Sequence, residues 1–158
     1  MTYHYAYDKD GENTAKAVGT SLDISTKHAI EICNMIRGMP LERAINVLEE
    51  VEQKDRAVPF RRFTGGVGHR TAIGPGRYPV KAAKAILQVV QNAKANAQFK
   101  GLGSNLMLQH ILAQRASRTP RYGRRPGLRS KRTHIEAVVE EVKAAPSKEQ
   151  KGQKGAAP

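Results

Sequence analysis

Apolar residues recur at helical spacing in three segments of the chain, and they predict three amphipathic helices. Ser25 is suited to cap the first helix, and Gly38 is suited to end it. The second helix is expected to open at Pro40 and the third, the longest, at Pro79, because proline fits the first helical turn. The third is expected to close near Gly101. The predicted buried stripes are Ala29, Ile32, Cys33 and Ile36; Leu41, Ala44, Ile45, Leu48 and Val51; and Val80, Ala83, Ile86, Leu87, Val90, Ala93 and Ala97.

Alternation of apolar and polar residues predicts three strands, over residues 15–23, 106–113 and 133–142. The last two flank a polar connector, so they predict an antiparallel hairpin that carries a long arm at about 115–132. The arm holds too few apolar side chains to offset the entropy of ordering it, and we expect it to become ordered on a partner.

The two ends of the chain differ from the rest. The first 14 residues are polar and predict a flexible lead-in, and the low-complexity tail (144–158) is expected to be disordered. Residues 1–143 are then expected to form a single domain, with the arm included. No apolar run approaches the roughly 20 residues that span a bilayer, and the N-terminus has no signal-peptide core. We therefore expect an intracellular protein without membrane insertion.

Charge is distributed very unevenly along the chain. Between Asp55 and Glu136, 80 consecutive residues include no carboxylate, and 17 of them are Lys or Arg. The first 55 residues carry a net charge of −4 and the last 23 a net charge of zero, so the window accounts for the whole +13. A field of one sign repels itself and is normally retained where a polyanion neutralises it. Nucleic acid is the expected partner.

The arm is the strongest single indication of that partner. It holds eight Arg or Lys in 18 residues, and guanidinium groups bind phosphates in a planar, bidentate way. A solvated charge run is the usual alternative, but no residue of opposite sign lies nearby in sequence. The candidate RNA-binding residues are Arg61, Arg62, His69, Arg70, Arg77, Lys81, Lys84, Arg115, Arg118, Arg121, Tyr122, Arg124, Arg125, Arg129, Lys131 and Arg132.

A glycine-rich basic loop precedes the third helix. Residues 58–63 are expected to be extended, because Pro59 disfavours helix at the residue before it. Residues 64–78 then contain glycines beside His69 and Arg70, which allow a backbone to approach phosphates closely. A flexible surface loop fits the same pattern. The segment lacks the spacing of a nucleotide-binding phosphate loop.

The kind of nucleic acid is less strongly indicated. Aromatic residues make up only 5% of the chain, and neither a base-stacking sheet motif nor helix-turn-helix or finger spacing is present. Basic loops and an arm that becomes ordered on binding favour structured RNA over a DNA groove.

Catalytic chemistry is poorly supported. Within the basic window only His69, His110 and His134 could act as acid or base, and no carboxylate lies in that window to orient them. No metal-ligand spacing joins them, and a single cysteine argues against a disulfide framework or a cysteine zinc site. Cys33 lies on an apolar stripe and is expected in the core. We expect neither an enzyme nor a bound cofactor; a nucleic-acid-processing enzyme would need a catalytic cluster.

Several short stretches in a fixed order resemble one protein family over nearly the full length. They are Thr14-Ala15-Lys16-Ala17, Ile36-Arg37-Gly38, Val58-Pro59-Phe60, Gly66-Val67-Gly68-His69, Gly76-Arg77-Tyr78-Pro79, Lys81-Ala82-Ala83-Lys84, Pro120-Arg121 and Thr133-His134-Ile135-Glu136. Together they resemble the L22 family of large-subunit ribosomal proteins in its archaeal and eukaryotic form.

That resemblance implies an α+β fold, with three helices packed on a small three-stranded antiparallel sheet and a long β-hairpin arm. It implies a cytoplasmic structural component that binds large-subunit rRNA, assists subunit assembly and contacts neighbouring large-subunit proteins. The arm would line the nascent-peptide exit tunnel and meet the nascent polypeptide near its tip. Arg121, Gly123 and Arg124 match the family's tip motif, but Pro-Arg-Tyr-Gly-Arg-Arg-Pro is one residue shorter than the usual Pro-Arg-Ala-x-Gly-Arg-Ala.

A second reading remains open at this point. A free-standing RNA chaperone or a regulatory RNA-binding protein would also carry a basic arm and a basic loop. Co-sedimentation with large subunits through a moderate salt wash separates the two, since a chaperone would wash off.

Overall fold

The computed structural model describes residues 3–7, 11, 13–125 and 127–142, which contain three α-helices and six strands. The α+β class and the three predicted helices are confirmed. The predicted tail lies outside the described residues. In chain order the elements are β1 (Thr14–Leu22), α1 (Thr26–Ile36), α2 (Leu41–Gln53), β2 (Val58–Pro59), β3 (His69–Arg70), β4 (Gly74–Arg77), α3 (Val80–Phe99), β5 (Leu106–Arg115) and β6 (Thr133–Glu141).

The main sheet has the strand order β1-β6-β5, and both pairings are antiparallel. Its inner face packs against the helices: α3 lies on β1 and β6, α1 lies on β5, and α2 packs beside α3. The three predicted strands are therefore confirmed. At Gly19 a Cβ atom would lie 2.7 Å from Val89 Cγ2, so the glycine permits the close approach of α3 to β1. The largest fully buried apolar residues are Ile32, Ile36, Leu41, Leu48, Ile86, Leu108, Ile111 and Ile135.

The helix boundaries follow the local signals closely. Gly38 follows the C-cap residue Arg37 of α1 and has a φ of 75°, the left-handed conformation with which glycine ends helices. Pro40 and Pro79 stand one position before the first helical residue of α2 and α3. Ser25 precedes α1 but makes no side-chain capping bond.

A second, smaller sheet includes two short segments of the predicted glycine-rich loop. Its strand order is β2-β4-β3, and Val58 pairs with Arg77 while His69 pairs with Pro75. The extended prediction is correct at β2, but the sequence did not predict this sheet. Its strands are two to four residues long and include Gly and Pro, so they show no alternating pattern.

The connector between β5 and β6 continues their pairing as a hairpin. Beyond the strand ends, the Ala116 amide donates to the Arg132 carbonyl at 3.1 Å, and the Arg121 amide donates to the Leu128 carbonyl at 2.9 Å. The arm is thus held by backbone pairing rather than by a core of its own.

Residues 3–7, here called the strap, lie across the outer face of the main sheet. The Tyr3 hydroxyl donates to Glu136 Oε1 at 2.7 Å, and the Ala6 amide donates to Glu136 Oε2 at 2.9 Å. The Tyr7 ring lies 5.3 Å from the His110 ring. The prediction of a flexible lead-in is wrong for the strap, because the buried carboxylate on β6 binds it to the sheet.

Replacing Tyr3 with Phe is expected to lower the free energy of unfolding by about 1 kcal/mol, since the buried Glu136 carboxylate loses a hydrogen-bond donor. Urea unfolding of the free protein measures the change. Tyr122→Phe is the matched control, because the Tyr122 side chain is 97% exposed. Equal stability of the two variants would show that the strap is not held by this bond.

Candidate nucleic-acid interface

A buried carboxylate on α1 positions the start of the basic loop. Glu31 is 2% exposed, and its two oxygens accept the backbone N–H groups of residues 61, 62 and 63 at 3.2, 2.8 and 2.8 Å. Three amide donors compensate for burying the charge. The chain direction at Phe63 is thereby fixed, and the Arg61 and Arg62 side chains are exposed to solvent.

Two arginines of the second sheet lie close to aromatic rings. The Arg70 guanidinium lies 5.2 Å from the Tyr78 ring centre, and that of Arg77 lies 5.9 Å from Phe60. Arg77 also donates to the Gly66 carbonyl at 2.8 Å. His69 and Arg70 are exposed on β3. Stacking on a ring orders a guanidinium while leaving its edge able to bind phosphate.

The two candidate lysines of α3 differ from the other candidates, because each faces a carboxylate. Lys81 Nζ lies 2.7 Å from Asp23 Oδ2, and Lys84 Nζ lies 3.6 Å from Glu52 Oε1. The hydrogen bond from Lys81 lowers the pKa of Asp23, and the charge of Lys81 acts in the same direction. Both lysines remain mostly exposed, but part of their charge is already neutralised.

Arginines of the arm are exposed, except for the half-buried Arg132, and they lie mostly without acidic neighbours. Arg121 Nε lies 3.3 Å from Ser130 Oγ, and Arg132 donates to the Ser21 carbonyl at 3.4 Å. Tyr122 is almost fully exposed beside them. The remaining exposed candidates on the arm are Arg115, Arg118, Arg124, Arg125, Arg129 and Lys131.

Two adjoining clefts lie between the arm, the basic loop and the first turns of the helices. The larger, here called the arm cleft, has a volume of about 670 Å³ and lies between the first turns of α1 and α3 and the arm. The smaller, here called the loop cleft, has about 420 Å³ and is lined by α1 and residues 60–67. Ser25, His28 and Lys131 line both clefts, so the arm and the loop form one continuous surface.

Three residues of this surface were missed by sequence reasoning. Lys27 lies 5.4 Å from the Phe63 ring, His28 packs edge-on against Phe60, and Asp23 lines the arm cleft. All three lie before the basic window and outside the apolar stripe of α1. Polar residues in such positions are typical of an ordinary solvated surface. No charge signal could have found them, because only the tertiary fold brings them to the loop and the arm.

Other chemistry finds little support here. Cys33 is buried in the core, as predicted, and burial raises the pKa of its thiol to about 12, which disfavours the thiolate that a nucleophile needs. In the described part of the chain no cluster of His, Cys, Asp or Glu is placed to hold a metal ion. Among those same residues, no helix is long and apolar enough to cross a membrane.

Comparison with known proteins gives consistent matches. Residues 17–140 match the family described as Ribosomal protein L22p/L17e. The large ribosomal subunit protein uL22 of Methanopyrus kandleri is 45% identical over 152 residues, covering 88% of this chain and 96% of that protein. The protein of the same name from Methanosphaera stadtmanae is 47% identical over 150 residues, with coverages of 89% and 97%. That of Methanocaldococcus jannaschii is 44% identical over 146 residues, with coverages of 87% and 94%.

Replacing Glu31 with Gln is expected to destabilise the protein by about 1–3 kcal/mol, because the amide offers one acceptor oxygen to three backbone donors and turns an NH₂ group toward them. Denaturant unfolding measures the loss. The control is Glu49→Gln on the exposed side of α2, which should stay within about 0.5 kcal/mol of the parent. Equal effects in the two variants would contradict the role of Glu31.

Acidification is expected to destabilise the free protein between about pH 7 and pH 5. Burial lowers the pKa of His28 below its ordinary value of 6.5, and the charges of Arg77 and Lys131 add to this. The unfolded state therefore binds more protons in this range, and stability falls as the pH falls. Burial also lowers the pKa of His110.

The unfolding free energy of the parent and of His28→Gln, measured at several pH values, checks this. The dependence on pH should be weaker in His28→Gln than in the parent. A parent whose stability is flat or rises on acidification would contradict the assignment.

Proposed function

Because this chain belongs to the family described as Ribosomal protein L22p/L17e, in its archaeal form, we propose that it is a structural constituent of the large ribosomal subunit. It is not an enzyme. The relatives that match over nearly their full length bear the name of a large-subunit protein. Its location is then the cytoplasmic ribosome, and neighbouring large-subunit proteins are its protein partners.

Binding of large-subunit rRNA is the central activity of this proposal. One observation carries it: Arg121 and Arg129 of the arm and Arg62 and Arg77 of the basic loop line two adjoining clefts that form one continuous surface. Bidentate guanidinium contacts suit phosphates that approach from several sides. The sixteen candidate residues are the proposed contacts, with Lys81 and Lys84 contributing less because each already faces a carboxylate.

The shape of the arm supports a placement at the exit tunnel. From Arg115 to Arg121 the hairpin continues past the end of the main sheet, paired by its backbone, and one side of it adjoins the first turns of α1 and α3. A narrow, cationic hairpin of this kind can pass between RNA helices, where a globular body cannot. In this placement the exposed Tyr122 and Arg124, at the turn of the hairpin, lie nearest the nascent polypeptide at the wall of the tunnel. Insertion of the arm between rRNA segments is also the means by which the protein assists subunit assembly.

The proposal predicts a steep dependence of rRNA affinity on salt. If about eight phosphates are neutralised, the slope of log K against log salt is roughly −6 to −7. Changing Arg118, Arg121, Arg124, Arg125 and Arg129 together to Gln keeps the arm length and should reduce the magnitude of that slope by about 4. Filter binding to a large-subunit rRNA transcript measures it.

Incorporation into subunits tests the same variant in context. The five-fold Gln variant and a deletion of residues 118–129 should both fold, yet co-sediment with large subunits more weakly than the parent through a moderate salt wash. A parent protein that washes off completely would favour a free-standing RNA chaperone or regulatory RNA-binding protein. Unchanged incorporation of both variants at near-physiological salt would refute the role of the arm.

A further inference from the structure

The arm cleft differs from the rest of the basic surface because cationic, apolar and acidic side chains line it together. Arg121, Arg129 and Lys131 contribute positive charge from the arm. Tyr78 and Leu128 contribute apolar surface, and Leu128 is 53% exposed although it is a large aliphatic side chain. A volume of about 670 Å³ is within the range of about 300–1,000 Å³ typical of small-ligand sites.

Asp23 is the unexpected member of this cleft. A carboxylate repels phosphate, so a surface that bound only the RNA backbone would be better without it. Its Oδ2 accepts from Lys81 at 2.7 Å, and within the described residues its Oδ1 accepts no hydrogen bond. The side chain is 55% exposed. The carboxylate therefore has free acceptor capacity for a ligand that offers hydrogen-bond donors.

We propose that the arm cleft binds one unpaired guanosine of the bound RNA, an inference that rests on the RNA-binding function proposed above. The N1–H and N2–H groups of the base donate to the Asp23 carboxylate. The flat base packs against Tyr78 and Leu128. The phosphates on either side of the nucleotide pair with the cations of the arm.

Guanine is the base that fits a carboxylate, because its N1–H and N2–H groups are adjacent donors. Adenine, cytosine and uracil each present an acceptor next to the donor on that edge, and the acceptor would face a carboxylate oxygen. The nucleotide must be unpaired, since pairing occupies this edge, and unpaired bases are commonly stacked on aromatic side chains. An acidic peptide would instead bring further negative charge to Asp23.

Replacing Asp23 with Asn distinguishes recognition of guanine from nonspecific attraction of RNA to a basic surface. Fluorescence anisotropy of the full chain with the RNAs UUGUU and UUUUU at 0.15 M salt measures both affinities. If Asp23 binds guanine, Asp23→Asn lowers the affinity for UUGUU by about tenfold, as expected for a lost bidentate base contact. The affinity for UUUUU then stays the same or rises. If the cleft attracts only phosphate, losing a negative charge raises the affinity for both RNAs, and the proposal is overturned.

Two further variants keep this test decisive. Glu52→Gln removes the same charge from another carboxylate that faces an α3 lysine, at 3.6 Å, but it lies outside the cleft and should leave the UUGUU to UUUUU ratio unchanged. Leu128→Ser alters an exposed residue of the arm, so folding is not at risk. This variant should lower the affinity for UUGUU several-fold. An unchanged UUGUU affinity in Leu128→Ser would overturn the packing of the base in this cleft.

A ligand of another class in the arm cleft would give different binding results. Free GMP should bind far more weakly than UUGUU, because it lacks the flanking phosphates; equal affinity would make a free nucleotide, and not RNA, the ligand. Preference for a hexaglutamate peptide over UUGUU would likewise overturn the proposal. If the parent binds the large-subunit rRNA transcript but shows no guanine preference, only the cleft assignment fails. If it binds no RNA, the proposed function fails with it.

Discussion

The hydrogen bonds of Glu31 are the contact on which the basic face depends. The second sheet has strands of only two to four residues and little apolar surface, so it cannot be stable by itself. One fully buried carboxylate on α1 accepts three successive amides at the start of that sheet. Because α1 is itself fixed in the core against β5, the loop takes its position from the body. The backbone at Arg61 and Arg62 is held by this one side chain, next to the buried Val58 and Phe60.

The acid-free window along the chain is not acid-free in space. Carboxylates from the first 55 residues lie against it: Glu52 faces Lys84, Glu42 faces Lys94 at 3.8 Å, and Asp23 lines the arm cleft. These exposed pairs contribute little to stability, but they reduce the field around α3. The uncompensated positive charge is thereby concentrated on the loop and the arm. The one carboxylate within the larger cleft then stands out as a candidate for reading a base rather than a phosphate.

The main sheet is covered on both faces, by different kinds of interaction. Its inner face is an ordinary apolar contact with three helices. Its outer face carries Glu136, fully buried, which accepts hydrogen bonds from Tyr3, Ala6 and Gln114. A polar network of this kind must be satisfied at every member to be tolerated. The strap therefore belongs to the folded body, although its composition resembles a flexible end.

The sequence by itself determined the three helices, the three long strands and the arm, because periodic apolar patterns, glycine and proline act locally. It also predicts the arm and loop arginines as RNA-binding candidates, since a one-sided charge distribution is visible along the chain. Only the tertiary structure decided that Lys27, His28 and Asp23 join them and that residues 3–7 cover the main sheet. It likewise decided that the glycine-rich loop forms a second sheet. The strap, Lys27, His28 and Asp23 depend on contacts between residues far apart in sequence, which no periodic pattern records. The second sheet depends on backbone pairing of strands that are too short to show an alternating pattern.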